Sequence, residues 1–458
     1  MRCTLACLLS AIVVPFVNAQ DLGIGDATFP ALGTKSFNAT HYRLKLQYDP
    51  ASHLLKSDVA MTATANTALS AINLDFKGFQ ISKITVDGIP ATYSRKSSKL
   101  KVNLGKRISA NHSFEVETFY SGKPTTEQSP ALPTGMKSGW ITFEGGVAAV
   151  CEPDLAHTWF PSNDHPLDKA TFSFEIRVPA NFVAIANGIR KPSADRVFRY
   201  ELDKPSSTCM ATVIVGRFSK LSQVGPNNLP IVSYLPSGQE PQFQDEVKKV
   251  PEYVKFLTKK LGPYPYSSFG VVVLPKSVAQ VNTLMGSSAL ETTAIPVFGP
   301  DSVSSSTLVH ELAHQWMGNC VSVRNWGDDI WWVEGFAQYS EWLLLEKDQG
   351  REAYNRQVKA VMDQVTSLPR WLKPGHLTAK NLFSERSYIA GAIVFHALRQ
   401  ELGDEKFFQT LKGFIAKNRF GNASAKDWIE IASSVSGQNM KPFFDTWLYS
   451  DTMPKIRP

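Results

Sequence analysis

The segment His310-Glu311-Leu312-Ala313-His314 sets two imidazoles four residues apart, with a carboxylate beside the first. On a helix, positions i and i+4 share a face, so both rings can reach one ion. Glu311 falls at the edge of that face. From there it can take a proton from water without being a ligand itself. The motif alone leaves the ion one donor short. Glu334, in Trp331-Trp332-Val333-Glu334-Gly335-Phe336-Ala337, stands at the start of a second predicted helix and is the candidate third donor. Two histidines, one carboxylate and an open fourth position suit zinc, which asks for borderline ligands and a tetrahedral site. The expected centre is therefore one Zn2+ per chain on His310, His314 and Glu334, with Glu311 as the catalytic carboxylate. Glu341, two helical turns after Glu334, is a candidate to orient an imidazole, or equally a solvated surface carboxylate.

Rigid elements must present these groups. Ser302 to Met317 reads as a helix, with several N-cap residues before Thr307 and Gly318 as its C′ residue. Val309, Leu312, Ala313 and Trp316 have core spacing, so one side can be buried while another presents the histidines. Further helices are predicted at Gln244–Leu261, Ile330–Leu345, Arg386–Leu402 and Glu405–Lys417, with a short buried strand at Val271–Leu274. From Thr40 to Phe218 the pattern is instead strand-like. Tyr42, Leu44, Leu46 and Tyr48 alternate on one face, and similar runs recur at Ser113–Tyr120 and Thr171–Val178. Asp87-Gly88 and Asn187-Gly188 supply turns. Val224-Gly225-Pro226-Asn227-Asn228 reads as a linker. The expected architecture is α+β and multidomain: an antiparallel β-sandwich over 20–223, then an α-rich catalytic domain with a small sheet over 224–458.

The chain has 458 residues, 43% hydrophobic and 19% charged, which is ample for two or three cores. Arg2, the fourteen-residue apolar run Thr4–Val17 and the small-residue site Val17-Asn18-Ala19 read as an export signal over 1–19. The run is too short to span a membrane, and no other is long enough, so a secreted protein without a transmembrane segment is expected. Cys151, Cys209 and Cys320 remain after cleavage, with one bridge between Cys151 and Cys209 left open. The formal charge of +7 is scattered rather than blocked, which argues for a basic soluble surface over a nucleic-acid partner. N-x-S/T triplets begin at Asn38, Asn111 and Asn422.

The stretch from His310 to Gln338, HELAHQWMGN followed by WGDDIWWVEGFAQ, resembles the M1 family of zinc aminopeptidases. HYRLKLQYDP at 41–50, HTWFPSNDHPLDKATF at 157–172 and YIAGAIVFHALRQELGDEKFF at 388–408 resemble family segments in family order. The resemblance implies a thermolysin-like catalytic domain behind the sandwich, and a short member without the C-terminal domains of larger ones. Peptides with a free N-terminus are the implied substrates. It also implies roles. Ser288-Ala289-Leu290-Glu291-Thr292 is similar to the exopeptidase motif G-[AM]-[ML]-E-N, which places Ala289 at the substrate and Glu291 on its α-amine. Glu152, in Cys151-Glu152-Pro153, matches a second amine-binding glutamate. Tyr388 matches the tyrosine that bonds the oxyanion.

This sequence departs from the pattern at Ser288 for Gly, Thr292 for Asn, Val333 for Asn and Val150 for Gln. One extra residue lies between His314 and Glu334, and registering Asp329-Ile330-Trp331 on the pattern puts it in a loop near Gly327-Asp328. Two other functions fit the same residues: a zinc endopeptidase with a weakened amine site, and an inactive peptide-binding relative.

Overall fold

Alternating side chains dictate strands through the first half, and strands form there. A computed structural model describes residues 23–454 apart from 282 and 369, so the export signal lies outside the described residues. Phe37–Asp49 buries Tyr42, Leu44, Leu46 and Tyr48, as the alternation requires. It belongs to an eight-stranded sheet ordered Ile189–Lys191, Val197–Ser206, Ala170–Arg177, Phe37–Asp49, Leu54–Ala65, Ser113–Gly122, Gln80–Val86 and Ile89–Pro90. Two smaller sheets pack near it. One holds Leu69–Asp75, Lys99–Ile108 and Tyr93–Lys96; the other holds Val183–Ala186, Val213–Gly216, Gly146–Val150, Ser138–Phe143 and Thr126–Glu127.

The sandwich is not wholly antiparallel. Phe37–Asp49 runs parallel to Ala170–Arg177, with His41 opposite Thr171. Alternation with period two looks the same in either pairing, so the sequence carries no sign of this. The supposed linker also differs. Gly225 N donates to Leu229 O at 2.8 Å, closing a hairpin between Phe218–Val224 and Pro230–Pro236. Gly, Pro and Asn mark tight turns as readily as linkers. That hairpin starts a second five-stranded sheet, which continues through Val272–Val273 and Val297–Phe298 to the edge strand Ala289–Leu290. Val150, Ile185 and Ile214 of the first half share one buried cluster with Tyr234, Val272 and Val297 of the second. The two halves are therefore joined by a core rather than by a tether.

Helices fill the second half. The stretch expected as one helix from Gln244 is broken: Gln244–Val247 is a single turn, and α1 runs Val250–Leu261 with Pro251 in its first turn. Helix α2, Ser305–Ala313, starts at Ser304, whose hydroxyl accepts from Thr307 N at 3.1 Å. It is shorter than the predicted Ser302–Met317. Helix α3, Trp326–Gln349, is mostly buried and has no single polar face. Its first turn contains Gly327 and Asp328, so these residues do not form the loop expected for the extra residue. Helix α4, Gly391–Asn418, is kinked at Gly403, between the two helices predicted there. A π-helical turn, Arg386–Ala390, leads into it.

Helices α3 and α4 cross backbone to backbone. A Cβ on Gly335 would lie 2.5 Å from Gly391 Cα, and one on Gly391 would lie 2.5 Å from Trp331 O. This contact locks the stretch that carries Tyr388 against the helix that carries Glu334. Gly335→Ala is expected to lower stability by about 2–3 kcal/mol through overpacking. Denaturant unfolding measures it, and an unchanged midpoint would mean that the helices separate freely.

Candidate active site

Helix α2 and helix α3 face each other, and three predicted donors meet between them. His310 Nε2 and His314 Nε2 each lie 3.5 Å from Glu334 Oε2. The three donor atoms fall within 4.8 Å of one another, so a single ion can touch all three. The second nitrogen of each ring has its own partner. His310 Nδ1 pairs with Glu341 Oε1 at 2.8 Å, and His314 Nδ1 with Met317 O at 3.3 Å. Acceptors on both Nδ1 atoms hold those protons there and turn the Nε2 lone pairs toward Glu334. Of the two readings open for Glu341, the orienting one matches its position. Its other oxygen accepts from Ser306 Oγ on α2.

Helix α3 is held in place at its first turn. Asp26 Oδ2 accepts from Trp326 N at 2.8 Å and faces His165 Nε2 at 3.0 Å. Thr28 Oγ1 accepts from Gly327 N at 2.9 Å, and Asp329 Oδ2 from Asn325 N at 3.0 Å. These acceptors satisfy backbone N–H groups that a helix start leaves free. The sequence reading missed Asp26 and Thr28. Their partners lie about three hundred positions away, beyond the reach of any local pattern.

Three more carboxylates surround the metal set. Glu311 is buried on α2, and Glu291 is buried directly after the edge strand Ala289–Leu290. Glu152 reaches in from the end of strand Gly146–Val150. Glu152, Glu291 and Glu334 each offer an oxygen within 4.8 Å of the others. Oxygens of Glu152, Glu291, Glu311 and Glu334 are buried with no hydrogen-bond partner. Orphaned carboxyl oxygens at this density call for cations. The donor set fits zinc, and the residues present fit the ion.

Electrostatics point the same way. Burial lifts the Glu311 carboxyl to about 8, against the pull of His310. Burial, then the neighbouring Glu291, pushes Glu152 well above the usual carboxylate range. Glu334 escapes: burial opposes its ionisation, but His314 and His310 outweigh it and hold the group at about 2. Tyr388, on the π-helical turn, lies with its ring 6.1 Å from that of His310. Burial, then Glu334, holds its phenol well above the ordinary value, so it keeps its proton and can donate.

The structure thus brings together His310, Glu311, His314, Glu334, Glu152, Glu291 and Tyr388, with Ala289 on the adjoining strand. Cys151 and Cys209 are separate, buried thiols. The amide of Asn422 donates to Pro166 O and Val323 O, so that triplet serves the fold.

Residues 249–447 match the Peptidase family M1 domain and residues 38–208 the Peptidase M1 N-terminal domain. A probable aminopeptidase 1 of Saccharolobus solfataricus is 23% identical over 85% of this chain and 51% of its own length. Leukotriene A-4 hydrolase of Xenopus laevis is 24% identical over 93% of this chain and 73% of its own. The chain spans about half the length of the archaeal relatives it matches. An M1 zinc metallopeptidase from Deinococcus radiodurans superposes with a TM-score of 0.86 at 26% identity, covering 95% of this chain and 99% of that one. Among the described residues, no helix is long and apolar enough to cross a membrane.

Glu341→Gln keeps the shape but removes the charge that orients His310. Zinc affinity is expected to fall roughly 10- to 100-fold, as when such outer partners are lost. Chelator competition measures it, and an unaltered affinity would reduce Glu341 to a surface contact.

Proposed function

The chain belongs to peptidase family M1, and from that premise we propose that it is a zinc-dependent aminopeptidase that removes N-terminal residues from peptides. The observation that carries this reading is the pair Glu152 and Glu291. Each is buried, each keeps an oxygen without a hydrogen bond, and each offers an oxygen within 4.8 Å of the other and of Glu334, with Glu291 Oε1 also 3.8 Å from His314 Nδ1. A free α-ammonium satisfies both. An internal peptide bond brings no charge there and leaves the pair uncompensated, which disfavours the endopeptidase alternative. The peptide-binding alternative gives no task to Glu311 or Tyr388.

In this reading His310, His314 and Glu334 hold one zinc per chain. When bound, zinc supplies Lewis acidity to a carbonyl oxygen and to water. Glu311 accepts the proton of the attacking water and passes it to the leaving amine. Tyr388 donates to the oxygen that gains charge in the transition state. Glu152 and Glu291 hold the ammonium and so fix which bond lies at the reacting centre. Ala289, on the edge strand, lines the substrate beside Glu291. The M1 zinc metallopeptidase from Deinococcus radiodurans is similar over nearly its full length, which supports zinc chemistry in the part of the protein described. Export after cleavage near Ala19 is proposed on residues 1–19 alone, and the mature N-terminus is its measurement.

Paired peptides, one free and one N-acetylated, test the activity. Chelator-sensitive release of the first residue from the free peptide only is expected; equal cleavage of both at internal bonds would refute the proposal. Within the active enzyme, Tyr388→Phe should lower kcat by about 100- to 1000-fold with KM changed a few-fold. A large rise in KM at unchanged kcat would contradict an oxyanion role.

A further inference from the structure

The amine-binding residue and the metal-binding helix belong to different elements, so something must set their distance. Glu291 leaves the sheet right after the edge strand Ala289–Leu290, and no strand pairing reaches it. Its main chain is held instead by two side chains just past His314. Gln315 Nε2 donates to Glu291 O at 3.3 Å, and Asn319 Nδ2 donates to the same carbonyl at 2.6 Å. Gln315 Oε1 accepts from Ala294 N at 2.8 Å. Ala294 has φ +64°, a left-handed conformation that alanine rarely adopts without such a hold.

The same two residues are tied to the metal face, Gln315 by its side chain and Asn319 by its main chain. Gln315 Nε2 also donates to Glu311 O at 3.3 Å, and Asn319 N donates to His314 O at 2.9 Å. Both side chains are buried, at 0% and 1% exposure, so water cannot stand in for them. From the opposite side Asn187 Nδ2 donates to Thr293 O at 2.8 Å, which anchors the far end of the loop to the sandwich.

We propose that Gln315 and Asn319 are positioning residues that set the register between the metal face and Glu291, and so determine how strongly the enzyme selects a free α-amine. The inference rests on the reading of Glu291 as an amine-binding residue. It assigns a function to the residues between the metal motif and Gly318-Asn319 that is separate from holding the metal. Loss of the bracket frees the Glu291 backbone and relaxes Ala294, while His310, His314 and Glu334 keep their own supports. Selectivity should therefore fall before metal binding does.

The test compares two inhibitors on the zinc-loaded full chain by calorimetry: an amino-acid hydroxamate and its counterpart lacking the amine. Their affinity ratio reports amine recognition without turnover. In Gln315→Met the ratio is expected to drop at least about tenfold, with zinc content and the affinity of the amine-free inhibitor unchanged. Asn319→Ala, which removes only the donor to Glu291 O, should shift the ratio in the same direction and covers the case in which Gln315→Met does not fold. An unchanged ratio in a folded variant overturns the inference. Equal weakening of both inhibitors together with zinc loss also overturns it, since that marks a general structural role. A wild-type protein that fails to prefer the amine would instead remove the underlying reading of Glu291.

Discussion

Glu152, Glu291, Glu311 and Glu334 crowd four buried carboxylates around one small volume. Burial first, and like charge after it, opposes their ionisation, as the raised Glu152 and Glu311 show. Such a cluster is stable only if rigid neighbours hold it and positive charge balances it. The rest of the structure answers both needs. A divalent ion on His310, His314 and Glu334 would supply part of that balance, and a substrate ammonium completes it. The site is in this sense built short of cations, and its chemistry follows from what it then attracts.

Holding the cluster is shared among elements that are far apart in sequence. Glu152 comes from a strand end of the sandwich, Glu291 from a sheet edge, Glu311 from α2 and Glu334 from α3. The buried cluster between the halves keeps the first two in register. The Gly335–Gly391 crossing brings the Tyr388 turn down on α3, where any larger side chain would force it away. Asp26 anchors the first turn of α3 from the start of the described chain. Each support is an ordinary packing or hydrogen-bonding device. Together they fix the relative positions on which a catalytic constellation depends.

Much of the site was legible because its signals are local. The i, i+4 histidines need only one helical turn, and Glu334 needs only the face of a second helix. Glu341 was readable as a candidate for the same reason, being two turns further along. The strands at Phe37–Asp49, Ser113–Gly122 and Ala170–Arg177 follow from period-two alternation. The errors also have local causes. Period two does not distinguish parallel from antiparallel, so the pairing of Phe37–Asp49 with Ala170–Arg177 was hidden. Turn residues do not reveal whether their flanks pair, so a hairpin at Val224–Asn228 read as a linker. Gly327-Asp328 looked like a loop because its helix is capped by Asp26 and Thr28, residues the local window does not contain.

The sequence by itself determined the chemistry: which side chains can bind an ion, which can carry a proton, and which helices and strands present them. Side-chain identity and one-turn spacing are enough for that, since they act over a few residues. Only the tertiary structure decided that Glu152 and Glu291 share a volume with Glu334, that Glu341 meets His310, and that Gln315 and Asn319 bridge the metal helix to Glu291. Those relations join residues up to about two hundred positions apart. They depend on how whole elements pack, and packing is a property of the folded chain rather than of any window along it.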